Sequence, residues 1–224
     1  MTGTAFLFDL DGTLVDSVYQ HVLAWHEALQ GQHIFLPTWV VHHRIGMSDG
    51  LIIDECLRMA GRASDGDLTQ RLKTAHSQAF KTLANTVRPF PGAEQLLAYL
   101  NEEHIPWAIA TSGDLDSAKP NLTALGLDPD AITLVTKNEA ERSKPDPDLF
   151  VKAADRLAIP VSRTIVVGDS QWDMLAAARC GALGVGLLCG GHGSDELQRS
   201  GAVRIYDDPA MLLQKISELT PNTI

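Results

Sequence analysis

Five short apolar runs divide the chain into candidate strands. Each run is continuous rather than alternating, which indicates a strand that is buried on both faces of a sheet. Three stretches between the runs carry apolar residues at spacings of three and four, and these predict amphipathic helices. The predicted strands are TAFLFD at 4–9, PWAIAT at 106–111, the weaker AITLVT at 131–136, TIVVGD at 164–169 and LGVGLL at 183–188, and the predicted helices lie at 92–103, 146–157 and 171–180. Such alternation predicts an α/β fold, a Rossmann-like three-layer core with a mainly parallel sheet.

Residues 16–88 interrupt this alternation and contain no convincing strand. Their apolar positions follow helical spacing instead, and several residue types suited to helix N-termini occur between them. The candidate helix starts are Asp16 or Ser17, Pro37, Ser48, and Ser64 with Asp67 as a capping box. The segment RPFPG at 88–92 then forms a rigid connector. We therefore expect a core of residues 1–15 and 89–224, with an α-helical cap domain of residues 16–88 inserted after the first strand.

The composition of the 224-residue chain limits the classes of partner. Hydrophobic residues make up 45% of the chain and charged residues 21%, which is ordinary for a soluble globular protein. The net charge of −10 argues against a broad surface for nucleic acid or for an anionic membrane. No apolar run reaches the ~20 residues of a membrane span. These observations leave a small molecule as the expected partner, and the oligomeric state stays open.

Two features predict a cytoplasmic protein. The N-terminal sequence MTGTAFLFDLDGT lacks the basic region that begins a secretory signal peptide. The three cysteines, Cys56, Cys180 and Cys189, are widely spaced and odd in number, so they form neither a CxxC metal pattern nor an obvious disulfide framework. Free thiols in a reducing compartment are therefore expected.

Polar side chains follow the predicted strands at the positions where ligands bind in open parallel sheets. If the strands are neighbours, their carboxyl ends bring these side chains to one edge of the sheet. The candidates are Asp9 and Asp11 after the first strand, Thr111 and Ser112 after the second, Asp169 with Asp173 after the fourth, and Lys144 in the SKPDPD loop.

This combination of residue types suits phosphoryl transfer, which depends mainly on positioning and charge neutralisation. A carboxylate such as Asp9 can attack phosphorus and form an aspartyl-phosphate. Attack by an anion on an anion requires a cation between them, and Mg²⁺ prefers oxygen ligands such as Asp9, Asp169 and a backbone carbonyl. Lys144 would offset further charge, and Thr111 with nearby backbone N–H groups would hold phosphate oxygens. Asp11 can protonate the leaving oxygen and then activate water.

Four motifs in the chain resemble those of the haloacid dehalogenase-like superfamily. They are DLDGTL at 9–14, TSG at 111–113, KPDP at 144–147 and GDSQWD at 168–173. The resemblance covers nearly the whole chain, and it implies that Asp9 is the nucleophile and Asp11 the general acid/base. It further implies that Thr111, Ser112, Gly113 and Lys144 bind phosphate. Mg²⁺ would be held by Asp9, the backbone of Asp11, and Asp169, with Asp173 assisting directly or through water.

The helical insert resembles the small α-helical cap of the phosphoglycolate phosphatase and β-phosphoglucomutase group, which closes over the site. Within it, His21 is a candidate contact to the leaving group and Arg44 a candidate for an anionic substrate tail, although a surface histidine and an ion-paired arginine are the alternatives. His42 and His43 are adjacent, and this spacing is not one that indicates a metal site. The glycines of GGHGSDEL at 190–197 indicate either mobility or a close backbone approach near the site.

Three activities remain open at this point. A phosphatase is favoured over a phosphosugar mutase, because Asp49 stands where the resemblance would place a mutase arginine and GDSQWD lacks an adjacent Glu-Asp pair. A phospho-accepting signalling module also combines clustered Asp, Thr, Lys and Mg²⁺, but it lacks a helical insert after its first strand. The substrate stays open among phosphoglycolate, a hexose phosphate, a sugar-alcohol phosphate and a nucleotide.

Overall fold

A six-stranded parallel sheet forms the centre of the protein, whose computed structural model describes residues 4–220. The strands in this part of the chain are β1 (Ala5–Phe8), β2 (Val15–Asp16), β3 (Arg88–Pro89), β4 (Trp107–Ala110), β5 (Leu134–Val135), β6 (Thr164–Gly168), β7 (Leu183–Leu187) and β8 (Ala202–Tyr206). The sheet has the order β5-β4-β1-β6-β7-β8, and every neighbouring pair in it is parallel. The α/β fold and all five predicted strands are confirmed.

Helices cover both faces of this sheet and also form the insert. They are α1 (Val18–Gly31), α2 (Thr38–His42), α3 (Asp49–Met59), α4 (Gly66–Leu83), α5 (Ala93–Glu102), α6 (Leu115–Ala124), α7 (Asp148–Arg156), α8 (Gln171–Cys180), α9 (Ser194–Arg199) and α10 (Pro209–Gln214). Side chains alternate along β1, so Phe6 and Phe8 pack with α5 and α6 while Leu7 packs with α7 and α8. The result is the predicted three-layer arrangement. Among the described residues, no helix is long and apolar enough to cross a membrane.

The edge strand β8 was not predicted, because its sequence AVRIY is neither a continuous apolar run nor a clean alternation. Its middle residues, Val203 and Arg204, are exposed, as an edge position allows. Helices α6, α9 and α10 were also missed. Helix α6 contains Pro120 in its interior, a residue that normally argues against a helix.

Helices α1–α4, which we call the helical insert, pack around an apolar cluster of their own that includes Val22, Trp25, Ile53 and Leu72. The two chain segments that enter and leave the insert lie side by side as a short antiparallel ribbon. In that ribbon, Val15 of β2 pairs with Pro89 of β3, and Asp16 pairs with Arg88. The sequence did not reveal this pairing, because two residues are too few to show a strand pattern.

Two of the predicted helix starts need correction. Helix α4 begins after Asp65, whose carboxylate accepts a hydrogen bond from the Leu68 N–H at 2.7 Å, and not at a Ser64–Asp67 capping box. Ser17 does precede α1, but its hydroxyl makes no capping hydrogen bond and donates to Asp11 instead. By contrast, Pro37 precedes α2 and Ser48 caps α3 as predicted.

Candidate active site

Three neighbouring strands bring the motif residues to one edge of the sheet. Because β4, β1 and β6 are adjacent, their carboxyl ends place Thr111, Asp9 and Asp169 side by side. The backbone N–H of Asp9 still donates to the Val167 carbonyl at 2.9 Å, so the nucleophile candidate leaves the sheet in register. The sheet therefore fixes the position of this carboxylate before any side-chain contact is considered.

A buried cluster of charges lies at this edge. Carboxylate oxygens of Asp9, Asp169 and Asp173 all lie within 4.8 Å of one another. The ammonium of Lys144 lies between two of them, with Nζ 2.5 Å from Asp9 Oδ1 and 2.8 Å from Asp173 Oδ1. The Lys144 side chain is completely buried. One ammonium facing three carboxylates leaves negative charge uncompensated in a region of low dielectric.

Burial and, to a lesser extent, this imbalance of charge shift the pKa values of the carboxyl groups. Burial raises the pKa of Asp9 to about 7, although Lys144 opposes the shift. Burial, with the Asp173 and Asp9 charges, raises the pKa of Asp169 well above its usual value. Three closely spaced carboxylates with excess negative charge are suited to a divalent cation with oxygen ligands. The donor set present at this edge therefore fits such an ion.

Neighbouring groups hold the acidic cluster in place. Thr13 Oγ1 donates to Asp169 Oδ1 at 2.9 Å. The hydroxyl and backbone N–H of Ser170 both donate to Asp173 Oδ2, in a capping box that begins α8. Gly12 has φ +85°, and a Cβ there would lie 2.4 Å from Asp169 Oδ2. Glycine at position 12 therefore lets the first motif pass close to the acid that follows β6.

Asp11 is held by three donors on a single oxygen. Its Oδ1 accepts hydrogen bonds from Ser17 Oγ at 2.6 Å and from Asn121 Nδ2 at 2.6 Å, and it lies 3.3 Å from His21 Nε2. Burial raises the pKa of Asp11, but His21 and Ser17 outweigh burial and lower it below its usual value. Because all these contacts are on Oδ1, the other oxygen is available toward the cavity that Asp11 lines.

His21 belongs to a stacked group that the sequence did not reveal. Its Nδ1 lies 3.1 Å from His76 Nε2, and its ring stacks on Phe80 at 3.9 Å between centroids. His76 in turn stacks on Trp25 at 4.0 Å. Burial lowers the pKa of His76 well below its usual value, with the neighbouring His21 adding to the effect, so His76 is neutral. Its sequence position offered one clue, since it lies on the apolar face of α4 with Leu72 and Phe80.

A cavity of about 440 Å³ separates the acidic edge from the helical insert. Asp9, Asp11 and the Thr111–Gly113 loop form its floor. Its upper wall carries polar side chains, namely Asp49, Gln70, Lys73, Thr74, His76, Ser77 and Gln78. Lys137 lines one side, where its ammonium lies 2.6 Å from Asp49 and 3.0 Å from Asp114. The cavity is large enough for a small metabolite and offers it hydrogen-bonding groups.

The remaining predicted site residues are Ser112, Gly113 and Arg44, and only the first two lie at the cavity. The Gly113 N–H donates to Thr111 Oγ1 at 3.0 Å, so this loop turns tightly at the cavity floor. Ser112 lines the cavity, but its hydroxyl donates to the Gly46 carbonyl of the insert at 2.9 Å. Arg44 does not line the cavity. Its guanidinium donates to the Val40 carbonyl and lies 3.7 Å from Glu55, because it follows α2 on the side that faces α3.

The comparisons with known proteins agree on one family. The family model for haloacid dehalogenase-like hydrolases matches residues 4–181. The chain is 34% identical over 184 residues to hexitol phosphatase A of Escherichia coli (strain K12), covering 80% of this chain and 82% of that protein. It is 31% identical over 222 residues to a phosphoglycolate phosphatase of Neisseria meningitidis serogroup A, covering 97% of this chain and 92% of that protein.

A solved structure is similar over almost the whole length. A hydrolase from Pseudomonas syringae superimposes with a TM-score of 0.95 and 48% sequence identity, and the match covers 96% of this chain and 99% of that one. All four sequence motifs lie inside the segment that the family model matches. The resemblance drawn from those motifs is therefore confirmed.

Proposed function

This chain belongs to the haloacid dehalogenase-like hydrolases, and from that premise we propose that it is a magnesium-dependent phosphatase of small phosphate monoesters. One observation carries the proposal. Asp9 and Asp11 both line the cavity, the Lys144 ammonium lies 2.5 Å from the Asp9 carboxylate, and one Asp11 oxygen is already held by hydrogen bonds. The proposed nucleophile and the proposed acid/base therefore share one cavity, and the proposed charge-compensating lysine contacts the nucleophile.

The reaction has two displacements at phosphorus. In the first, an Asp9 oxygen attacks phosphorus, the bond from phosphorus to the ester oxygen breaks, and Asp11 gives its proton to the departing alcohol. In the second, Asp11 takes a proton from water, the water oxygen attacks phosphorus, and Asp9 leaves with inorganic phosphate as the product. The Thr111–Gly113 loop and Lys144 would bind phosphate oxygens in both steps, through the Thr111 hydroxyl, backbone N–H groups and the ammonium.

Asp9, Asp169 and Asp173 would hold Mg²⁺, together with the backbone carbonyl of Asp11. When bound, the ion supplies positive charge between the attacking carboxylate and the phosphate. The raised pKa values of Asp9 and Asp169 support this proposal, because burial and the neighbouring carboxylates disfavour the charged form of both groups and Lys144 does not offset this.

We further propose that residues 16–88 act as a cap that opens for substrate entry and closes for reaction. The ribbon of β2 and β3 is suited to serve as its hinge, since both connections to the insert pass through it. Contacts such as Ser112 with Gly46 and Lys137 with Asp49 hold the closed arrangement. Closure of this kind excludes water from the site. A cytoplasmic location remains our proposal, supported by the three free cysteines.

The charge of the cavity wall indicates which class of leaving group the cavity favours. Lys73, Lys81 and Lys137 line the cavity. Asp49 and Asp114 both pair with Lys137, so the side of the cavity formed by these three residues is negative overall. A carboxylate on the leaving group would be repelled there, whereas hydroxyls can donate to Asp49 and to Gln70. We therefore propose a phosphorylated sugar or polyol as the substrate, in preference to phosphoglycolate.

Phosphate release from a substrate panel tests the function. The panel contains a hexitol phosphate, glucose 6-phosphate, 2-phosphoglycolate and a nucleoside monophosphate, each with Mg²⁺ or with a chelator. We expect release only with Mg²⁺, and a kcat/KM for the hexitol phosphate at least about tenfold above that for 2-phosphoglycolate. Preference for 2-phosphoglycolate would contradict the substrate class while leaving the phosphatase intact.

The same panel separates the alternative activities. Conversion of glucose 1-phosphate to glucose 6-phosphate without phosphate release would instead indicate the phosphosugar mutase. A long-lived phosphorylated protein without turnover would indicate the signalling module.

His21 provides a further prediction, as a positioning residue for Asp11. His21→Ala is expected to lower kcat up to about 100-fold with little change in KM, because Asp11 loses one of its three holders. His21→Gln, which can still donate to Asp11 Oδ1, should retain more activity. His26→Ala, on the same helix but away from the cavity, is the control. An unchanged kcat in His21→Ala would show that Ser17 and Asn121 orient Asp11 without it.

A further inference from the structure

A second cluster of side chains that could ligate a metal ion lies outside the proposed active site. Ligand atoms of His43, His192 and Glu196 all lie within 4.8 Å of one another. The Glu196 carboxylate lies between the two rings, with Oε1 3.3 Å from His43 Nδ1 and Oε2 3.0 Å from His192 Nδ1. We call these three residues the bridging cluster. Two imidazoles and one carboxylate form a ligand set that zinc takes in proteins.

His192 is buried, but hydrogen bonding does not account for its position. Its side chain is 1% exposed, yet neither ring nitrogen has a partner with hydrogen-bond geometry among the residues that the structure describes. Imidazole nitrogens are good ligands for transition-metal ions, and His192 Nδ1 faces the same carboxylate as His43 Nδ1. A buried ring nitrogen without a hydrogen-bond partner costs stability, and metal ligation at Nδ1 would satisfy one of the two.

The bridging cluster joins the two parts of the protein. His43 follows α2 in the helical insert, whereas His192 and Glu196 come from the loop after β7 and from α9. His42 supports the contact, because its ring stacks on His192 at 5.2 Å between centroids and its Nε2 lies 3.1 Å from the Gly190 carbonyl. An ion held by all three residues would therefore connect insert and sheet directly.

The loop that carries His192 also touches the acidic edge. A Cβ on Gly190 would lie 1.8 Å from Asp169 Oδ2, so the backbone at this position packs directly against that carboxylate. Of the two possibilities that the glycines indicated, this close approach is the one observed. Along the chain, a single residue, Gly191, separates this contact with the acidic edge from His192 of the bridging cluster.

We propose that His43, His192 and Glu196 bind Zn²⁺, or a similar transition-metal ion, and that the bound ion holds the cap closed. Imidazole ligands select such ions over Mg²⁺, which prefers the oxygen ligands at the acidic edge. The two sites therefore differ in the metal they take. Because the cap must open to release product, a bound ion at the bridging cluster slows turnover.

Zinc binding tests the site without reference to activity. Zn²⁺ is titrated into the full chain against a chromogenic chelator, with excess Mg²⁺ present to occupy the acidic edge. We expect one zinc per chain, bound at least about tenfold more weakly by His43→Asn and by Glu196→Gln, since losing a ligand costs no less than losing its supporting partner. Both side chains are partly exposed, so these substitutions are compatible with folding. His26→Asn and Glu102→Gln are the matched controls.

Two further readings complete the experiment. Co²⁺ at a site with histidine ligands and low coordination number gives strong visible absorption, whereas a carboxylate-only octahedral site gives weak absorption. We expect the strong spectrum from the wild type and its loss in Glu196→Gln. Zinc should also lower kcat several-fold in the wild type with saturating Mg²⁺, and not in Glu196→Gln.

Three results would overturn parts of the proposal. Absence of zinc binding, or binding that either variant leaves unchanged, overturns the site. Unchanged turnover of the zinc-loaded wild type overturns the locking role.

Discussion

Asp9→Asn is expected to lose phosphate release by about 10⁴-fold or more, because the amide has the size of the carboxylate but does not attack phosphorus. The substitution preserves the shape of the buried site, so the protein should remain folded. The measurement is the rate of phosphate release with saturating Mg²⁺ and the preferred substrate. A second reading is acid-quenched labelling with a ³²P-phosphorylated substrate, in which the wild type becomes labelled and the variant does not.

The control for this result is the same substitution at an exposed acid. Asp155→Asn lies on the solvent side of α7 and should retain full activity. Phosphate release by Asp9→Asn at the wild-type rate would contradict the role of Asp9 and with it the proposed mechanism. Labelling of the variant at wild-type level would do the same.

Lys144→Met is expected to reduce both stability and activity. The ammonium is completely buried between Asp9 and Asp173, and removing one partner of a buried ion pair costs about 3–5 kcal/mol of unfolding free energy. Activity should fall by about 100-fold or more, since a cation aimed at the developing charge is lost. Urea unfolding at pH 7.5 without divalent ions measures the first effect, and phosphate release measures the second.

The effect of Mg²⁺ on the stability of Lys144→Met tests the proposed metal site. If Asp9, Asp169 and Asp173 hold the ion, its charge compensates part of what Lys144 supplied, so the stability deficit should narrow when Mg²⁺ is added. Lys152→Met, an exposed lysine on α7, should change stability by no more than about 0.5 kcal/mol. Equal unfolding midpoints for Lys144→Met and the wild type would contradict the buried ion pair.

The five predicted strands could be recognised because strands buried on both faces have continuous apolar sequences. Runs such as TIVVGD are apolar throughout, and this pattern occurs where helices cover both sheet faces. Edge strand β8 and the ribbon of β2 and β3 were not predictable. Strand β8 is partly exposed, so its sequence is not apolar throughout. Strands β2 and β3 have only two residues each, which is too few to show a hydrophobic pattern.

The chain's local sequence determined the α/β fold, the family and the acidic edge, because each motif directly follows a strand or precedes a helix whose own residues specify it. The tertiary structure alone decided which distant side chains meet. His76 and Asn121 reach the His21–Asp11 pair from α4 and α6, and the ring of His192 meets that of His43 where the insert contacts the loop after β7. Their proximity depends on how the insert docks on the sheet, and local spacing along the chain does not encode a contact between elements that are far apart in sequence.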